Sequence, residues 1–137
     1  MKKIVLDTNV LLVSISEKSK LHWVFKTLIE KNYILCVSTE ILSEYAEIIE
    51  QHLGSEVSES VAGIIENLSN IERVTTYYRF RLLKAEDDNK FVDCAIAANA
   101  SYIVTHDKDF EILKKIDFPK VMVIDTEKFR QDLEIKT

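Results

Sequence analysis

Short, continuously apolar runs alternate along this chain with stretches whose apolar residues recur every three or four positions, and that alternation confines the fold to one class. Ile4-Val5-Leu6 reads as a short buried strand, followed by a short helix over Val10 to Ser16. Leu21 to Lys31 carries Leu21, Val24, Phe25, Leu28 and Ile29 at helical spacing, with Asn32 placed to end it. Tyr33 to Val37 is a second strand. Helices over Thr39 to Leu53 and Val57 to Leu68 follow, joined at Gly54, where a left-handed C-terminal residue is wanted. Ile71 to Thr76, Tyr102 to Thr105 and Val121 to Ile124 supply three more strands, and Phe91 to Ala100, Phe110 to Ile116 and Glu127 to Leu133 three more helices. Strands this short and this apolar, separated by helices, belong to a parallel sheet covered on both faces. The expected class is an α/β three-layer sandwich, and 137 residues fit one such domain, 1–137, with no room for a second core. In such sheets chemistry sits beyond the carboxyl ends of the strands, where strand order reverses.

Composition removes many alternatives. Two glycines and one proline leave no phosphate-binding loop or dinucleotide fingerprint, since both need clustered glycines. His22, His52 and His106 lie far apart, which removes the zinc-protease helix, and no serine-hydrolase elbow is present. Cys36 and Cys94 both lie in apolar stretches and read as reduced core thiols. No apolar run exceeds five residues, so nothing approaches the ~20 needed to span a bilayer. A soluble, cytoplasmic protein is expected, without a membrane partner.

Four carboxylates then stand out. Asp7 directly follows the first strand, and Asp107 lies at the exit of the fourth; each also suits a helix-capping role, so the functional case rests on their company. Asp93 interrupts a segment apolar almost all round, Phe91 to Ala100, where an isolated charge costs several kcal/mol unless a cation or a set of donors meets it. The competing expectation places Asp93 at a partly wet helix start. Among the glutamates of the 39–53 helix, only Glu44 lies on the rim of the apolar arc; Glu40, Glu47 and Glu50 lie on the far side. Asp7, Glu44, Asp93 and Asp107 converging on one cleft require a cation, and oxygen-only ligands suit Mg2+ or Mn2+. Such a site activates water and stabilises charge on phosphate oxygens during in-line attack.

These residues resemble the four acidic motifs of the PIN domain: Asp7-Thr8-Asn9-Val10-Leu11-Leu12, Val37-Ser38 leading to Glu44, Asp93-Cys94-Ala95-Ile96-Ala97-Ala98, and Tyr102-Ile103-Val104-Thr105-His106-Asp107-Lys108-Asp109-Phe110. The resemblance runs from the first strand to the fifth. It implies a five-stranded parallel sheet of order 3-2-1-4-5 and a metal-dependent ribonuclease of the toxin–antitoxin kind, using Mg2+ or Mn2+. Carried over position by position, Asp7, Glu44, Asp93 and Asp107 form the catalytic, metal-binding tetrad, with Asn9 and Thr105 as polar supports. Asp109 competes with Asp107 for the fourth place, and Asp88 adds an outer carboxylate. The implied partners are an RNA substrate, an antitoxin protein and, as is common in the family, a second copy of the chain.

The formal charge of −5 argues against broad nucleic-acid affinity. Between Ile71 and Lys84, however, Arg73, Arg79, Arg81 and Lys84 are interleaved with Tyr77, Tyr78 and Phe80, a mixture suited to single-stranded or looped RNA. Thr39 to Asn70 carries seven glutamates and no Lys or Arg, either a solvated helical face or a docking face for a basic antitoxin segment. Phosphatase and phosphoacceptor alternatives fail because Asn9 stands where a second Asp is needed and Asp125 follows the fifth strand where a lysine is needed. The remaining rival is a PIN-like binding or regulatory module without turnover.

Overall fold

A computed structural model describes residues 1–133, so the last four residues of the expected 1–137 domain lie outside it. Five parallel strands, β1 (Lys3–Leu6), β2 (Ile34–Val37), β3 (Ile71–Arg73), β4 (Tyr102–Val104) and β5 (Val123–Ile124), form one sheet in the order β3-β2-β1-β4-β5. Helices α1 (Thr8–Ser14), α2 (His22–Ile29), α3 (Thr39–Leu53), α4 (Ser55–Asn67), α5 (Asn89–Ala98) and α6 (Thr126–Asp132) complete the three-layer α/β/α sandwich. The order matches the expectation, and its reversal falls between β1 and β4. Ile4 pairs with Tyr102, Val5 with Ile103 and Leu6 with Val104, and the ladder continues one step, the Asp7 amide donating to the Val104 carbonyl at 3.0 Å. That extra bond brings Asp7 and the Thr105–Asp107 turn to the same sheet edge.

The strands are apolar because both of their faces are covered. Ile4, Val5, Leu6, Leu35, Cys36, Val37, Ile103 and Val104 are all without solvent exposure. On one side Trp23 of α2 lies against Phe129 of α6 at 5.4 Å between ring centres, and Tyr33 and Tyr102 meet the same Phe129 ring edge-on. The two cysteines are free and buried, and burial pushes the Cys94 thiol up to about 12.

Three elements depart from the sequence expectation. β3 stops at Arg73; only the Val74 amide still reaches Val37, and residues 75–82 run free of the sheet without regular secondary structure, Arg81 taking a positive φ of 52°. The stretch expected as a helix over 110–116 is a run of 3-10 turns over Lys108–Lys115, in which Phe110 and Leu113, three apart, provide the buried anchors. The left-handed residue after α2 is Lys31, with φ 63°, and not Asn32. Gly54 does take a positive φ of 91°, but with ψ 166° it is an extended corner that lets α4 fold back beside α3.

Candidate active site

Asp7 is 8% exposed at the end of β1. Its Oδ2 accepts the Thr105 hydroxyl at 2.6 Å, and the Thr105 oxygen in turn accepts the Asp107 amide at 3.0 Å. Asp107 Oδ1 then accepts the Asp109 amide at 2.9 Å, opening the 3-10 turns. One buried threonine thus ties the Asp7 carboxylate to the backbone of Asp107 in the turn after the neighbouring strand. Burial, reinforced by Asp107 and Glu44, raises the Asp7 carboxyl above its ordinary range, and the Thr105 hydroxyl and a backbone bond at Thr8 oppose the rise.

The third carboxylate comes from the turn before α5. Leu83 N–H donates to the Asn89 side-chain oxygen at 2.9 Å and the Asn89 amide donates back to the Leu83 carbonyl at 3.0 Å, a reciprocal clamp on the loop between them. The clamp delivers Asp88 to Asp107 and Asp109, where one carboxylate oxygen from each lies within 4.8 Å of the others. Burial, then Asp107, Asp7, Asp109 and Glu44, push the Asp88 carboxyl up to about 6. The three carboxylates together offer oxygen donors that could hold a cation.

Glu44 leans inward from α3 as its rim position predicts, and it is held there on two sides. The Thr8 hydroxyl donates to its Oε2, and Lys90 Nζ of α5 lies 2.6 Å from its Oε1. At this corner the cation that the carboxylates require is the protein's own: Lys90, with a side chain 12% exposed, neutralises Glu44. The sequence holds a clue to it. A lysine in the first turn of a helix opposes the helix dipole, and a partner carboxylate offsets that cost.

Asp93 does not converge with Asp7. It is 4% exposed and accepts the Phe80 amide at 3.1 Å, and the charged groups that act on it are Arg79 and Glu40. Burial raises its carboxyl, the Phe80 N–H and Arg79 opposing. The reason is helical geometry: α5 begins at Asn89, so Asp88 stands at the end facing the strand termini, and five residues later Asp93 is ~140° further round the helix at ~100° per residue. Nor is Asp93 at a wet helix start; it is buried in the second turn and met by a backbone donor.

The remaining residues divide between the cleft and its surroundings. Asn9 is exposed and lines a cleft of about 380 Å3 with Asp7, Val10, Val13, His106 and Asp107. His106 also meets the Thr126 hydroxyl at 2.8 Å. Arg79 is exposed and paired with Glu40 at 3.0 Å, and Arg81 and Lys84 are exposed with no ion pair among the described residues. Lys90, Thr8 and His106 are the site residues that the sequence reading passes over.

A PIN-domain family model matches residues 3–109. The fold is similar to that of VapBC2 from Rickettsia felis, solved bound to a DNA fragment from its promoter, with TM-score 0.63 and 22% identity over 90% of this chain and 98% of that one. It is similar also to VapC20 of Mycobacterium tuberculosis, a Sarcin-Ricin loop cleaving toxin (TM-score 0.57, 14% identity, 80% and 93% covered), and to the PIN-domain endonuclease Utp24 (TM-score 0.53, 16% identity, 90% and 84% covered). No curated protein matches the sequence significantly.

Proposed function

The chain belongs to the PIN-domain family, and on that premise we propose that it is a divalent-metal-dependent endoribonuclease and the toxin half of a toxin–antitoxin pair. The observation that carries the reading is the Asp7–Thr105–Asp107 chain of hydrogen bonds set beside Asp88 and Asp109 at the point where strand order reverses. Asp7, Asp88, Asp107 and Asp109 are the residues that would hold Mg2+ or Mn2+, because they offer hard oxygen donors, and the Asp7 and Asp88 carboxyls are raised first by burial and then by the neighbouring carboxylates. Held there, such an ion would supply Lewis acidity toward phosphate oxygens and would offset the charge that develops on them.

The chain's own residues do the positioning. Thr105 locks Asp7 in one rotamer and sets its distance from the Asp107 backbone. Thr8 and Lys90 hold Glu44 at the rim, and the exposed Asn9 side chain offers an amide donor at the cleft mouth. Arg81 and Lys84, unpaired among the described residues, and Arg79 supply phosphate contacts to an incoming single strand. The glutamate-rich face of α3 and α4 suits a basic antitoxin segment. The supporting likeness is that two of the similar solved structures are DNA-bound VapBC assemblies.

The test is cleavage of single-stranded RNA with Mn2+ or Mg2+ against EDTA, with Asp88→Asn and Asp107→Asn beside the wild type. Metal-dependent cleavage lost in both variants is the expected result. Metal binding with no cleavage of RNA or DNA selects the catalytically silent module, and cleavage that persists in EDTA overturns the metal site.

A further inference from the structure

The carboxylate that the acidic site leaves out has surroundings of its own. Asp93 lines a second cavity of about 320 Å3, bounded by Thr76, Tyr77, Tyr78, Phe80 and Ile96, at the segment where the chain leaves β3 and crosses to α5. Its rim is aromatic and solvent-facing: Tyr77 is 85% exposed, Tyr78 76% and Phe80 38%. Large side chains this exposed and this close together are unusual on a monomer surface, and they mark contact surfaces. The floor is different in kind, a carboxylate 4% exposed. Its Oδ1 accepts the Phe80 N–H, and no side-chain cation pairs with it among the described residues. Cations flank the cavity, since Arg79 and Arg81 bracket Phe80 in sequence and Lys84 follows.

We propose that this cavity is a nucleobase pocket that takes an unstacked guanine from single-stranded RNA, the base stacking on Tyr78, whose ring lies beside Phe80, and its Watson–Crick edge donating to Asp93. The inference rests on the RNA reading above and deepens it by assigning a preference to the substrate. Aromatic faces with neighbouring cations are what a single strand needs, and stacking alone accepts every base. Asp93 makes the pocket selective. An ionised carboxylate only accepts hydrogen bonds, and its two oxygens offer about four lone-pair sites, of which Phe80 occupies one. Guanine presents two adjacent donors, N1–H and N2–H, on one edge. Adenine and cytosine present one amino group beside a ring acceptor, and uracil one N–H between two carbonyls, so each sets an acceptor against the carboxylate. Asp93 lies five residues beyond Asp88, about 7.5 Å along α5 at ~1.5 Å per residue and ~140° round it, so the pocket is on a different flank of the same helix that carries the acidic cleft's Asp88 at its start.

The measurement is fluorescence anisotropy of labelled RNA heptamers in EDTA, each a uridine strand with one central guanosine, inosine, adenosine or uridine. The guanosine heptamer is expected to bind wild-type protein about tenfold more tightly than the uridine or adenosine heptamers, as for a bidentate pair, with inosine, which lacks the 2-amino group, in between. Asp93→Asn should bring all four within about twofold of one another. Tyr78→Ala, at an exposed position that folding does not depend on, should weaken all four by about tenfold and keep their ranking. Equal binding of the four heptamers by wild-type protein, a guanosine preference that survives in Asp93→Asn, or unchanged affinity in Tyr78→Ala overturns the proposal. Guanosine-selective binding by a protein that cleaves no RNA would refute the nuclease reading and leave the pocket standing, and cleavage without base preference would do the reverse.

Discussion

Replacing Asp88 by Asn removes one negative charge from a cluster that includes Asp107, Asp109 and Asp7, and without metal it should stabilise the fold. Burial and these neighbours move the Asp88 carboxyl from 3.8 to about 6. A displacement of that size corresponds to about 3 kcal/mol of differential interaction between the charged and neutral forms. Asp88 is only partly buried, so solvent screening reduces the usable figure to about 1–2 kcal/mol. Because the folded-state value lies above the unfolded one, the native state holds its proton more tightly. Its stability is greatest below pH ~4 with respect to this group and is lost as pH rises through the 3.8-to-6 window. Asp88→Asn should therefore raise Tm in EDTA at pH 7.5 by about 5 °C and change it by less than about 2 °C at pH 4. Calorimetric melts at the two pH values check this. A variant destabilised at pH 7.5, or stabilised equally at both, would refute the claim that Asp88 carries uncompensated repulsion.

Lys90→Met should leave Glu44 charged and unpaired in a half-buried position and cost about 2–3 kcal/mol in a urea titration, and the double-mutant cycle with Glu44→Leu should return a favourable coupling of about 1–3 kcal/mol. Thr105→Val, which keeps the shape and removes the hydroxyl shared by Asp7 and the Asp107 amide, should destabilise by about 1–3 kcal/mol and lower RNA cleavage more than binding. Phe129→Ala should cost about 3–5 kcal/mol with no change in metal affinity, because its ring packs on Trp23, Tyr33 and Tyr102, away from the acidic cluster. Unchanged denaturation midpoints in any of the three would contradict the corresponding contact.

The sheet was legible because the strands are buried on both faces, which leaves unbroken apolar runs such as Ile4-Val5-Leu6 and Tyr102-Ile103-Val104, and its order followed from the resemblance to the PIN domain. Asp7, Asp107 and Glu44 stood out for related reasons: Asp7 directly follows such a run, Asp107 lies three residues beyond one, and Glu44 sits on the edge of an apolar arc whose period the sequence displays. Asp93 was misplaced because the argument from burial is correct about the environment and silent about the partner. A buried carboxylate needs donors, and here the donor is the amide of Phe80, from a segment without periodicity. Asp88 was demoted to an outer ligand because Glu86-Asp87-Asp88 reads as a solvated charge run, and the Leu83–Asn89 clamp that turns Asp88 inward is a contact between side chain and backbone that no local pattern announces. The 3-10 turns after β4 escaped for a similar reason. With Asp107 capping and Phe110 and Leu113 three apart, the composition suits an α-helix and a tighter turn equally.

The central claim is that Asp88, and not Asp93, completes the ligand set with Asp7, Asp107 and Asp109. Electron paramagnetic resonance of Mn2+ titrated into wild-type protein, Asp88→Asn and Asp93→Asn decides it. Wild type and Asp93→Asn should bind Mn2+ alike, and Asp88→Asn should lose at least tenfold in affinity; the opposite pattern, or equal binding by all three, would contradict the site described.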